Sequence, residues 1–258
     1  MPEGDTVWRT AHTLAAVFTG SILTRCDVRV PAFATIDLTG ETVRSIESRG
    51  KHILHRIGEV TLHTHLKMEG AWHLYKQGTP WRRPAHQARI VLANRDWVSV
   101  GFSLGTVEFV ASADEANIVG HLGPELLGRF DPEEATARLT AAPDVPVFVA
   151  LLDQRNLAGI GNIYANEICF LRGMLPTRPV AVDPDPAATV RLAHRLLVAN
   201  RDRAHRTATG DMRPGRGSWV YGRQGRPCRR CGTPIRSGKL GATPLTQRDT
   251  FWCPHCQS

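Results

Sequence analysis

The sequence has no run of about 18 apolar residues, so it contains no candidate transmembrane helix. Its first residues include the acids Glu3 and Asp5 and show no basic stretch followed by an apolar one, so no secretory signal is visible. Cysteine is scarce: four of the six residues form two Cys-x-x-Cys pairs, and Cys26 and Cys169 stand alone. That usage is typical of metal binding in a reducing compartment and excludes a disulfide framework. We therefore expect a cytoplasmic protein with no membrane partner.

Acidic residues are few relative to basic ones, with 24 Asp and Glu against 32 Lys and Arg and a net charge of +8. The excess is concentrated in residues 201–236, which contain ten arginines and two acids. Trp219 and Tyr221 lie within this basic stretch. The combination favours a nucleic-acid surface over the alternative, a solvated basic face.

The first part of the chain predicts one helix followed by many short strands. Asp5 is placed to cap a helix whose apolar residues recur every three or four positions: Val7, Ala11, Leu14, Ala15 and Phe18. Short alternating or apolar runs separated by turn residues then predict strands near 22–30, 52–57, 60–64, 89–93 and 98–102. This arrangement indicates a two-layer sandwich or barrel.

The second part predicts helices after a hinge at 111–123. Asp131-Pro-Glu-Glu134 is a helix start, with a capping Asp, Pro at the first helical position and two acids at the positive end of the dipole. Further helices are predicted over 147–154, 163–172 and 185–206, and the Gly- and Arg-rich segment 207–217 is interpreted as a linker.

The last forty residues contain four cysteines, Cys228, Cys231, Cys253 and Cys256, in two Cys-x-x-Cys pairs. Four thiolates in two turns suit one tetrahedral, structural zinc ion, since no position is left open for chemistry. Thr250, Phe251 and Trp252 favour strands between the pairs, so we expect a zinc-bound antiparallel hairpin. The alternative is a redox-sensitive thiol cluster.

The N-terminus offers a possible nucleophile. Removal of Met1 would give Pro2 a free secondary amine, which titrates near ~8, well below a lysine near ~10.4. Such an amine attacks carbonyl-type carbons and forms an iminium ion, and Glu3 beside it could transfer protons. The alternative is an ordinary frayed terminus or helix start.

A glycine turn between two predicted helices, Gly159-Ile-Gly-Asn162, offers a possible phosphate site. Backbone amides at the start of the following helix, with Asn162 beside them, suit a phosphate group. The alternative is a tight inter-helix turn without a ligand.

Five motifs span the whole chain: Met1-Pro-Glu-Gly4, Ser48-Arg-Gly-Lys51, His65-Leu-Lys-Met-Glu-Gly70, Leu151-Leu-Asp-Gln154 through Glu167, and Phe251-Trp-Cys-Pro-His-Cys-Gln257. Together they resemble the formamidopyrimidine-DNA glycosylase/endonuclease VIII family, and most closely the second actinobacterial form of its endonuclease VIII branch. The resemblance implies a multidomain α+β protein with damaged DNA bound between its domains. The expected parts are a catalytic β-sandwich with an N-terminal helix (1–112), a helix–two-turn–helix domain (122–212) and a zinc hairpin (218–258).

The resemblance also implies roles for four catalytic residues. Pro2 would attack the anomeric carbon of the sugar and form a Schiff base, while Glu3 would protonate the opening sugar. Lys51 would assist base loss and β-elimination, and Arg248 would bind a phosphate and assist δ-elimination. Without the resemblance, Lys51 and Arg248 are ordinary exposed cations.

Four further residues are implied in DNA binding: Lys67, Met68, His121 and Asn162. Asn162 would grip the lesion phosphate, and Met68 would fill the hole left by the flipped nucleotide, since unstacking a base costs a few kcal/mol. Outside the family, Met68 would be a core methionine. His63 and His65 share one strand face, where a metal site is one alternative and packing or phosphate contact another.

The sequence departs from the family pattern at three places. Asp5 and Thr6 replace the usual Pro-Glu, and 21 residues separate the cysteine pairs, several more than usual. The loop 102–106 lacks the Arg-Phe pair of the formamidopyrimidine branch. This last departure favours oxidised pyrimidines as substrates, in double-stranded and also in single-stranded or bubble DNA. The expected protein is a glycosylase and AP lyase that is monomeric and associated with the nucleoid. The alternatives are the same chemistry on oxidised purines, or a non-catalytic protein that binds damaged DNA.

Overall fold

The computed structural model describes residues 2–258. The predicted removal of Met1 therefore concerns a residue that lies outside the described part of the chain. The chain divides into two compact units, with the boundary between His121 and Leu122. We call them the N-terminal and the C-terminal unit. Among residues 2–258, no helix is both long and apolar enough to cross a lipid bilayer.

The N-terminal unit begins with helix α1, Gly4–Phe18, which buries Val7, Leu14 and Phe18 on one face. The prediction that Asp5 caps this helix is wrong. The chain enters the helix one residue earlier, with Glu3 as the N-cap residue in extended conformation. Asp5 instead lies buried in the first turn, where the helix dipole favours a carboxylate.

Two four-stranded antiparallel sheets complete this unit. One contains, in spatial order, β2 (Val43–Arg49), β3 (His52–Ile57), β4 (Val60–His65) and β8 (Thr106–Ala111). The other contains β1 (Arg25–Val28), β6 (Ala88–Ala93), β7 (Trp97–Phe102) and β5 (Ala71–Lys76). A short helix, α2 (Ala116–Val119), follows β8.

The core of the N-terminal unit combines α1 with both sheets, which confirms the predicted sandwich with its N-terminal helix. Leu14 of α1 shares one apolar cluster with Ile53 of β3 and Ile90 of β6, all almost fully buried. Strands β2, β5 and β8 are not among the individual runs that the sequence pattern singled out. In β2 the register shifts between Val43 and Ser45, and this irregularity obscures the two-residue alternation that identifies a strand.

The C-terminal unit contains four helices: α3 (Pro132–Thr140), α4 (Val147–Leu152), α5 (Asn162–Leu171) and α6 (Pro186–Arg201). Asp131 caps α3 as predicted, since its Oδ1 accepts hydrogen bonds from the backbone N–H groups of Glu133 and Glu134, both at 3.0 Å. Helix α6 ends five residues before the predicted position 206. There the Asn200 side chain bonds both backbone groups of Thr207, which turns the chain away from the helix axis.

The cysteine segment forms the predicted antiparallel hairpin, from β9 (Arg236–Leu240) and β10 (Arg248–Trp252). Its apolar cluster is small and contains only five buried residues: Phe170, Val220, Cys228, Ile235 and Cys253. Phe170 belongs to α5, so this helix connects the hairpin to the larger helical core. A cluster of this size gives little hydrophobic stabilisation, and a metal ion is the usual substitute.

Candidate functional site

The start of α1 presents Pro2 and Glu3. Pro2 is half-buried, and Glu3 has no solvent exposure. The carbonyl of Glu3 accepts the backbone N–H of Val7 at 3.0 Å, which attaches this residue to the helix. A carboxyl group withdrawn from water next to the second residue is unusual for a frayed terminus, because burying an acid is costly unless it is engaged by partners.

Lys51 lies at the tip of the two-residue hairpin that joins β2 to β3. Arg49 pairs with His52 across the hairpin, so Gly50 and Lys51 are its two central residues. Gly50 has φ of 60°, the conformation that a type II′ turn requires at its first central position and that glycine adopts without strain. The local sequence therefore fixes Lys51, half-buried, at one end of the sheet.

The loop after β4 presents Lys67 and Met68. Leu66 is buried, whereas Met68 is 65% exposed, so Met68 is not a core methionine. Lys67 has φ of 52°, and its backbone N–H donates to Nδ1 of His65 at 2.9 Å. A Cβ atom at Gly105 would lie 2.2 Å from Cγ of Lys67, so any other residue there would force the Lys67 side chain to move.

Four histidines cluster beside this loop. His52 and His65 are directly paired across β3 and β4, and their ring centroids are 5.1 Å apart. Nδ1 of His52 lies 2.8 Å from Nε2 of His63, whose Nδ1 lies 3.0 Å from a Glu108 carboxylate oxygen. His121 is exposed, with its ring 6.4 Å from that of His52.

Two of these rings, those of His52 and His65, are neutral at physiological pH. Burial, followed by the neighbouring positive charges, lowers the pKa of His52 to about 3 and that of His65 to about 4. Because the backbone N–H of Lys67 occupies Nδ1 of His65, a neutral His65 carries its proton on Nε2 and can donate it. Hydrogen bonding is therefore the chemistry that this pair offers at neutral pH.

The turn before α5 places Asn162 at the first helical position, with an exposure of 6%. Gln154 organises this turn. Its Nε2 donates to the carbonyls of Leu152 and Ile160, and its Oε1 accepts the N–H of Gly159 at 3.1 Å. The start of α5 is thus a rigid helix N-terminus of the kind that binds anions.

Arg248 is exposed at the first position of β10, where it pairs with Leu240. Its Nη1 donates to the carbonyl of Gln247 at 2.9 Å. Arg248 and Asn162 belong to the C-terminal unit, whereas Pro2, Glu3 and Lys51 belong to the N-terminal one.

The four cysteines form the candidate metal centre. The sulfur atoms of Cys228, Cys231, Cys253 and Cys256 all lie within 4.8 Å of one another. Cys231 and Cys253 are 3.4 Å apart, and Cys228 and Cys256 are 4.0 Å apart. Four Zn–S bonds of about 2.3 Å in a tetrahedron place the sulfurs about 3.8 Å apart, so this donor set fits zinc. Within residues 2–258, no other group of three His, Cys or carboxylate side chains is close enough to bind a metal, the histidine cluster included.

Two buried polar residues of α5, Asn166 and Glu167, were not among the predicted site residues. Both have no exposure. The Glu167 carboxylate accepts three backbone N–H groups, from residues 219, 220 and 221, at 2.7 to 3.1 Å. Burial raises the pKa of Glu167, and these three bonds oppose that effect. A polar pair in the middle of an apolar helix was the available signal in the sequence.

Comparisons with known proteins find the same family along the whole chain. Residues 1–102 match the formamidopyrimidine-DNA glycosylase N-terminal domain, and residues 122–195 match the H2TH domain of that enzyme. The chain is 49% identical to the DNA-(apurinic or apyrimidinic site) lyase Nei2 of Mycolicibacterium smegmatis, covering 100% of this chain and 99% of the relative.

A second relative, the probable endonuclease 8 2 of Streptomyces coelicolor, is also 49% identical, with 100% of this chain and 94% of the relative covered. Among solved structures, the fold is similar to that of Lactococcus lactis Fpg in complex with DNA containing an abasic site. The TM-score is 0.81 at 23% identity, over 99% of each chain.

Proposed function

This chain belongs to the formamidopyrimidine-DNA glycosylase/endonuclease VIII family, and on that premise we propose that it removes oxidised pyrimidines from DNA as a bifunctional glycosylase and AP lyase. The observation that carries the proposal is the fully buried Glu3 next to Pro2 at the first turn of α1. The positive end of the helix dipole disfavours a cation there, which favours the neutral, nucleophilic form of the Pro2 amine.

The proposed reaction begins when the Pro2 nitrogen attacks C1′ of the damaged nucleotide and the bond from C1′ to the base breaks. Glu3 supplies a proton to the ring oxygen O4′ as the bond from C1′ to O4′ opens, which leaves an iminium ion on the enzyme. Lys51 assists departure of the base. No oxidant or reductant is needed in any of these steps.

Strand cleavage follows by two eliminations. Loss of a proton from C2′ expels the 3′ phosphate, and loss of a proton from C4′ expels the 5′ phosphate, after which water releases Pro2 from the sugar fragment. Arg248 and Asn162 bind phosphates of the damaged strand, since a cation and a helix N-terminus both stabilise the developing negative charge. The exposed Met68 fills the hole left by the flipped nucleotide, with Lys67 and His121 as further DNA contacts.

Zinc at the four cysteines has a structural role in this proposal. Bound there, it cross-links the two ends of the β9–β10 hairpin and takes no part in the eliminations. The arginine-rich segment 201–236 supplies positive charge for binding DNA, and the expected substrate is chromosomal DNA in the cytoplasm.

The preference for pyrimidines is supported by the connection from β7 to β8. It contains only three residues, Ser103, Leu104 and Gly105, and the side chain of Leu104 is buried. The turn contains neither an arginine nor an aromatic residue that could contact the base opposite the lesion. We therefore expect weak discrimination between opposite bases.

A lesion panel tests this specificity. Duplexes containing thymine glycol, 5-hydroxyuracil or 8-oxoguanine are incubated with the enzyme, and excision rates are measured opposite each of the four bases. We expect the two pyrimidines to be excised at least about 10-fold faster than 8-oxoguanine, a difference of ~1.4 kcal/mol in barrier. Preferential excision of 8-oxoguanine would reject the pyrimidine assignment, and tight binding without any excision would favour the damage-binding alternative.

A further inference from the structure

Asn166, in the middle of α5, connects the two phosphate-binding candidates of the C-terminal unit. It lies one helical turn after Asn162 and is completely buried. Its Nδ2 donates to the backbone carbonyl of Asn162 at 2.7 Å and lies 3.3 Å from the Asn162 side-chain oxygen. The same amide group also reaches the hairpin.

On the hairpin side, Asn166 imitates one residue of a neighbouring strand. Nδ2 donates to the carbonyl of Asp249 at 3.2 Å, and Oδ1 accepts the N–H of Phe251 at 2.6 Å. Asp249 and Phe251 direct these backbone groups to the same edge of β10, because consecutive residues of a strand point to opposite edges and alternate residues to the same one. Asn166 therefore occupies one edge of β10 and leaves the other edge to β9. The side-chain amide thereby closes the free edge of a two-stranded hairpin that would otherwise be weakly fixed.

Arg248 directly precedes Asp249, so the edge that Asn166 binds begins one residue after the arginine. Thr250, between the two bonded residues, is 3% exposed, so this part of β10 is packed inside the C-terminal unit. One buried amide therefore links the start of β10 to the N-terminal turn of α5. Loss of the Asn166 hydrogen bonds would leave buried donors and acceptors without partners, which is energetically costly. We expect β10 to shift so that these groups find other partners.

We propose that Asn166 is a positioning residue that fixes Arg248 relative to Asn162, and that it thereby determines how far strand cleavage proceeds from β- to δ-elimination. The inference rests on the proposed function. Arg248 touches the phosphate that leaves in the second elimination, and Asn166 acts through Arg248 without touching DNA. A displaced Arg248 slows departure of the 5′ phosphate, while attack by Pro2 and the first elimination are unaffected.

The test variant is Asn166→Asp, which keeps the shape and the acceptor for Phe251 but replaces the donor Nδ2 by oxygen. That oxygen would face the Asp249 and Asn162 carbonyl oxygens at 3.2 and 2.7 Å. The chain offers a matched control in Asn200→Asp. Asn200 is equally buried, on α6, and its amide also donates to and accepts from the backbone of one loop, at Thr207.

The assay uses abasic-site DNA and separates 3′-unsaturated aldehyde ends, from β-elimination alone, from 3′-phosphate ends, which also require δ-elimination. For Asn166→Asp we expect the ratio of 3′-phosphate to aldehyde to fall about 10-fold, with unchanged zinc content and unchanged borohydride trapping. Asn200→Asp should lower the thermal midpoint similarly and keep the wild-type ratio. In an Asn166→Asp background, Arg248→Ala should have less effect than in the wild type.

A wild-type product ratio in Asn166→Asp, or an equal change in Asn200→Asp, would overturn the inference. So would a wild-type enzyme that produces only the aldehyde end. If the Asn166→Asp protein loses its zinc, Asn166→Ser becomes the test variant in its place, since serine removes the amide without adding charge. A wild-type enzyme that neither incises nor traps abasic DNA would refute the proposed function itself, which distinguishes the two failures.

Discussion

Replacing Glu3 by glutamine is expected to abolish base excision while DNA binding stays at the wild-type level. Glutamine has nearly the same shape, so it fits the fully buried site at the start of α1. It cannot transfer a proton to the opening sugar, and loss of a general acid typically slows a reaction by ~10²–10⁴-fold. Single-turnover excision on a lesion duplex measures the loss, and a binding titration with the same duplex measures affinity.

Glu41→Gln is the control for that experiment, because Glu41 is an exposed residue of the same unit. It should excise at the wild-type rate. Excision by Glu3→Gln at that rate would remove the acid role from Glu3. Equal loss of excision and of binding would indicate that glutamine disturbs the fold, which circular dichroism of the variant would detect.

Replacing Cys253 by serine is expected to release zinc and to weaken DNA binding by more than about 10-fold, because an unfolded hairpin no longer binds the DNA phosphates. Cys253 is completely buried, and its sulfur lies 3.4 Å from that of Cys231. The five-residue cluster beneath the hairpin is too small to keep β9 and β10 folded without the metal. Arg248, at the start of β10, would then have no fixed position.

Zinc content by mass spectrometry and DNA affinity by fluorescence anisotropy measure the two effects. Cys26→Ser is the control, since Cys26 lies in β1 of the N-terminal unit and is not one of the four clustered cysteines. It should retain one zinc ion and wild-type affinity. If Cys253→Ser loses its zinc but binds DNA as tightly as the wild type, the hairpin is not a DNA clamp.

Local sequence patterns predicted those parts of the fold that depend on neighbouring residues. The Cys-x-x-Cys pairs predicted the cluster of four cysteines that could hold a metal ion, because ligand spacing in a turn is a local property. Asp131 predicted the start of α3, since a cap bonds to residues two and three positions later. The prediction for Asp5 failed although a residue type that often caps helices was present, because the helix begins one residue earlier, at Gly4, with Glu3 at the N-cap position.

Contacts between distant segments were beyond local patterns. Asn166 bonds to residues 83 and 85 positions away, and Glu167 to residues 52 to 54 positions away. In the sequence, they appear only as a polar pair in an apolar helix. Met68 is likewise exposed in a turn where Lys67 has a positive φ, and a hydrophobic pattern does not reveal such a turn.

The central claim is that the N-terminal amine of Pro2 is the nucleophile, and borohydride trapping on abasic-site DNA tests it most directly. Three proteins are compared: the wild type, Pro2→Gly, and a form with one extra residue before Pro2, each with its terminus checked by intact mass. We predict a covalent adduct with the wild type that is weaker with Pro2→Gly and absent when the terminus is blocked. No adduct from a wild type that has lost Met1 and binds DNA tightly would contradict the account and favour a damage-binding protein.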